Sequence, residues 1–174
     1  MRLSAIAFAG LLVVSCQSGD VPTSETPSVV PTIEQPATPP PPAPVRILAV
    51  DYRYDGLPST VAIGTQLSLR NEGTEPHELV LLRVSPDTSV AAFVQLSQDE
   101  MLARSEMVGV LVASPNRTSE EFITVEEVGL YVAVCFIPVG TSSEHEHDHQ
   151  HSASADAEQV QHYSVGMYAS FSAG

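Results

Sequence analysis

The chain has 174 residues, enough for one domain with appendages, and carries a net charge of -14 with seven basic residues, all of them Arg. So acidic a chain without lysine excludes a nucleic-acid-binding role, and it suits attraction of a cationic partner. Two cysteines are too few for a disulfide framework.

The first fifteen residues are expected to be removed. Arg2 supplies a positive start, Leu3 to Val14 is almost entirely apolar, and Ser15 and Cys16 follow. The run is too short for a stable membrane span and reads as a signal peptide. Leu12-Val13-Val14-Ser15-Cys16 resembles a bacterial lipobox, which implies lipidation of Cys16. The mature protein would then be anchored to the outer face of a bacterial membrane, in the periplasm or at the cell surface. With Cys16 acylated, Cys135 has no partner for an intramolecular disulfide, and a lone thiol in an oxidising compartment hints at metal chemistry.

Residues 16–44 hold nine of the fourteen prolines, including Pro39-Pro40-Pro41-Pro42, and are expected to form an extended, semi-rigid tether. The folded domain is expected over 45–174. Val45 to Tyr54, Gln66 to Arg70, Glu78 to Val84, Met107 to Ala113, Glu121 to Val125, Gly129 to Ile137 and Met167 to Ser172 read as strands. Pro86-Asp87-Thr88 opens one short helix over Val90 to Ala103. Seven strands and one helix at this spacing predict an all-β fold, a Greek-key antiparallel β-sandwich. Residues 138–161 break the pattern. They are small, polar and acidic, with His145, His147, His149 and His151 at alternate positions, and are expected to be a disordered insertion before the last strand.

A copper electron-transfer site needs two imidazoles and a thiolate in a plane, with a weak axial thioether. The chain offers each part near a strand end: His77, Cys135, His162 and Met167. The stretch from Asn71 through Pro76-His77 to Val80 is similar to an Asn-rich turn and first His of the cupredoxin (blue, type 1 copper) family, which includes plastocyanin- and azurin-like proteins. Gly129-Leu130-Tyr131 followed by Cys135 resembles that family's Gly-x-Tyr-x-x-x-Cys strand, and His162 to Met167 its His-x-x-x-x-Met ending. The resemblance covers Val45 to Gly174 and implies one type 1 copper held by His77, Cys135, His162 and Met167. It further implies one-electron transfer, entering by the solvent edge of the His162 ring, with a c-type cytochrome or membrane oxidase as partner.

This sequence departs from the family pattern twice. Residues 136–161 place 26 positions between Cys135 and His162, where a few are usual, so a loop histidine could compete with His162. The spacing to Met167 favours His162. Glu78 stands where many members carry Asn, and an ionised carboxylate cannot donate to the thiolate. His145, His147, His149 and His151 form a secondary candidate for weak copper, zinc or nickel binding. The competing functions are copper binding and handling outside the cytoplasm, or a metal-free cupredoxin-like interaction domain. No enzyme motif is evident, and no enzymatic activity is expected.

Overall fold

The computed structural model describes residues 40–142 and 159–174. The signal peptide, Cys16, most of the tether and the four alternating histidines therefore lie outside the described residues.

Among the described residues, nine strands form two sheets. The first has the order β2-β1-β4-β7, from Arg53–Asp55, Val45–Val50, Gln66–Asn71 and Ile123–Thr124. The second has the order β3-β9-β8-β5-β6, from Thr60–Val61, Tyr168–Ala173, Gly129–Val134, His77–Val84 and Glu106–Ala113. The all-β sandwich expected from the sequence is thus present, though its sheets are mixed. β1 runs parallel to β4 and β3 parallel to β9, while the other ladders are antiparallel.

Ile47, Ala49, Leu67 and Leu69 from the first sheet meet Leu79, Leu81, Leu111, Tyr131 and Phe171 from the second in the main core. A second cluster lies on the opposite face of the larger sheet. There Val80, Leu82, Val132 and Val134 are covered by Phe93, Val94 and Met101. β5 is therefore buried on both faces, which explains why Leu79-Val80-Leu81-Leu82 is continuous rather than alternating.

Two expected elements divide. The strand predicted over Val45 to Tyr54 turns at Asp51 and Tyr52, where Tyr52 adopts φ 68, and returns as β2. The predicted helix over Val90 to Ala103 is two helices, α1 (Val90–Phe93) and α2 (Gln98–Ala103). Ser97 starts the second with a capping box, its hydroxyl accepting from Glu100 N–H and the Glu100 carboxylate accepting from Ser97 N–H. That exchange satisfies N-terminal donors and fixes a new helix start.

Register gathers the chemistry at one end of the sandwich. Val80 pairs with Val134, and Val134 pairs with Tyr168. His77 opens β5, Cys135 directly follows β8, and Met167 directly precedes β9. Three residues distant in sequence thus reach the same edge.

Candidate metal centre

His77, Cys135 and His162 form one cluster, each offering a donor atom within 4.8 Å of the others. His162 Nδ1 lies 3.2 Å from His77 Nδ1 and 3.3 Å from Cys135 Sγ. All three residues are fully buried, as is Met167. Such burial is costly for polar side chains unless they are paired or hold an ion.

Each donor is placed by its own local structure. Asn71 is buried at the end of β4 and organises the turn leading to His77. Its side-chain amide donates to Glu75 O at 2.7 Å and Ala113 O at 2.8 Å, while its oxygen accepts from Gly73 N–H. Gly73 is required there by space: a Cβ would come 2.8 Å from His77 Nε2 and 2.7 Å from Asp51 Oδ1. Among the described residues, His77 Nε2 has no hydrogen-bond partner.

The thiol of Cys135 is pushed up to about 11, mainly by burial. The backbone N–H groups of Glu78 and Ile137, and the Tyr54 hydroxyl, act in the opposite sense on its sulfur. The Glu78 carboxylate turns elsewhere and accepts from Phe136 N–H at 2.9 Å. Main-chain N–H groups at Glu78 and Ile137 thus favour the thiolate, while the charge of the Glu78 carboxylate disfavours it.

His162 opens a 3-10 turn, His162–Val165, that main-chain bonds hold to the end of β8. His162 N–H donates to Ile137 O, Val139 N–H to Val160 O, and Tyr163 N–H to Cys135 O, each at 2.9 Å. Cys135 N–H donates to Met167 O. These bonds form a neck that closes before residues 143–158, which lie outside the described residues. Tyr163 donates to Leu96 O and packs edge-on against Phe136, so the segment between the helices also braces the turn.

One implied feature is absent. The resemblance suggested a solvent edge on His162, yet its ring is fully buried. Tyr52 lies edge-on to it at 5.0 Å, and Glu75 Oε2 sits 3.0 Å from Nε2. Neither cover residue was identifiable from the sequence as part of the site. The positive φ of Tyr52 and the reach of Glu75 across the turn leave no pattern in composition or spacing.

The donor set fits a thiophilic metal that also accepts imidazole: two ring nitrogens and one sulfur converge, and Met167 packs in the core cluster that includes Cys135. The alternating histidines His145, His147, His149 and His151 lie outside the described residues.

No family model and no curated protein matches the sequence. Among solved structures, the chain is similar to a dithionite-reduced auracyanin from the photosynthetic bacterium Roseiflexus castenholzii. That match has TM-score 0.46 and 14% identity, covering 76% of this chain and 96% of that one. Auracyanin A, a "blue" copper protein from Chloroflexus aurantiacus, matches with TM-score 0.42 and 14% identity, over 75% and 98% of the two chains. A purple cupredoxin from Nitrosopumilus maritimus matches with TM-score 0.34 and 16% identity, over 54% and 86%.

Proposed function

We propose that this chain, cupredoxin-like in fold, is a type 1 copper protein that carries single electrons outside the cytoplasm. The observation that carries the reading is the convergence of two imidazole Nδ1 atoms and one cysteine sulfur in a fully buried cluster. Bound there, copper would supply a one-electron couple.

The protein's own residues do the rest. Cys135 offers the strong donor, and the N–H groups on its sulfur spread the negative charge of the thiolate. His77 and His162 offer neutral nitrogens from a strand end and a braced turn, so neither has to be ordered when the ion arrives. Met167, held between the turn and β9, would offer a weak thioether donor that tunes the potential. Complete burial keeps water from the donors, which favours an electron carrier over an enzyme needing substrate access.

The finer assignments belong to the same reading. Cys16 carries lipid, the proline-rich segment holds the domain off the outer face of the membrane, and the acidic charge draws a basic c-type cytochrome or a membrane oxidase. His145, His147, His149 and His151 provide a weak additional metal site.

Copper(II) titration of the protein with a visible spectrum tests this. An intense thiolate-to-copper charge-transfer band at one equivalent is expected, and Cys135→Ala should abolish it. A colourless wild-type protein that holds copper would turn the reading to copper handling. One that binds none would leave a metal-free interaction domain.

A further inference from the structure

Glu75 stands in the turn between β4 and β5, two residues before His77, and its carboxylate is aimed at the other histidine. Three donors converge on it. His162 Nε2 lies 3.0 Å from Oε2, Gly140 N–H donates to the same oxygen at 2.8 Å, and the Tyr52 hydroxyl donates to Oε1 at 2.9 Å. A carboxylate oxygen ringed by donors acts as an acceptor, so the proton of His162 belongs on Nε2. Nδ1 is then a bare lone pair, and it is the atom that faces His77 Nδ1 and Cys135 Sγ.

Tyr52 is bent to the same end. It holds φ 68 in the two-residue turn that joins β1 to β2. From there it both covers the His162 ring and donates to Glu75.

We propose that Glu75 is the positioning residue of the metal centre. It fixes His162 in the Nε2–H tautomer with Nδ1 aimed at the cluster, and with Tyr52 it closes the outer edge of the ring. This rests on the copper reading above, but the tautomer is a property of the protein without metal. A carboxylate behind a ligating imidazole raises its basicity and holds its orientation, and losing such a partner typically costs about 10–100-fold in metal affinity.

The test uses the full-length protein and its Glu75→Ala and Glu75→Gln variants. Nitrogen-15 spectra of the metal-free forms report the His162 tautomer. Competition with a copper(I) chelator reports affinity, and voltammetry reports the potential. The wild type should show Nε2–H alone. Glu75→Ala should mix the tautomers and weaken copper by about 10–100-fold. Glu75→Gln, which keeps the side-chain shape with one acceptor oxygen instead of two, should mix them less and raise the potential by removing a negative charge. It decides the matter if the alanine variant fails to fold. Unchanged tautomer populations in a folded variant overturn the proposal, whatever happens to copper. A wild type that binds no copper but shows the Glu75-dependent tautomer would overturn the functional reading and leave this assignment standing.

Discussion

His77 and His162 stand 85 positions apart in the chain, yet their Nδ1 atoms lie 3.2 Å apart with both rings fully buried. Without metal, a proton on His77 is disfavoured first by burial and then by the charge of a protonated His162; Asp51 and Glu75 oppose this more weakly.

The consequence is a two-sided pH profile for the metal-free protein. His77 titrates near 4 when folded against 6.5 ordinarily, so between those values the unfolded chain binds the extra proton. Its contribution is complete above pH 6.5 and is lost as pH falls toward 4, by at most about 1.4 kcal/mol per unit. Cys135 acts oppositely: its thiol titrates near 11 folded and 9.0 ordinarily, so stability is lost as pH rises through that range. Urea midpoints across this span should plateau between the two limbs, and His77→Gln should flatten the acid limb alone.

Asn71 is expected to matter more than its distance from the sulfur suggests. Asn71→Ala strands two carbonyls and one N–H that now share its side chain. A loss of about 1–3 kcal/mol is expected in denaturant unfolding, with weaker copper binding because the turn carries His77. Asn71→Asp keeps the acceptor for Gly73 and loses both donors, so it should fall at the severe end.

Met167→Leu separates packing from ligation. The exchange nearly conserves volume in a filled core and should cost less than about 1.5 kcal/mol. Removing the thioether withdraws a donor that favours the oxidised ion more than the reduced one. The potential of the copper-loaded variant should rise in voltammetry while the charge-transfer band persists. An unchanged potential would remove Met167 from the site.

Deleting residues 143–153 should leave the charge-transfer band intact and abolish weaker additional metal uptake, read by titration with copper and zinc. The bonds of Val139 and His162 to Val160 and Ile137 lie outside the deletion. His162→Ala with the insertion present should lose the band. Colour lost on deletion and kept in His162→Ala would make a loop imidazole the ligand.

The sandwich was legible because β-branched and aromatic runs between turn residues survive in the sequence, and the meeting of His77, Cys135 and His162 because their order along the chain is distinctive. Parallel pairing of β1 with β4 was not legible, since side-chain alternation is the same for either direction. Nor was β3, two residues long and bounded by Ser59 and Ala62. The cover on His162 was hidden for another reason. Tyr52, Glu75 and Gly140 belong to three separate turns, and only the folded register brings them together.

The hydrogen-bonded neck changes what chain length means for this protein. Along the backbone Cys135 and His162 are far apart, but through the bond from His162 N–H to Ile137 O they are near neighbours. The bonds of Val139 and His162 to Val160 and Ile137 tie the chain off on both sides of residues 143–158. A peptide spliced in between Ser142 and Gln159 would leave those bonds in place, which makes the position a natural graft point for joining this domain to a chosen surface.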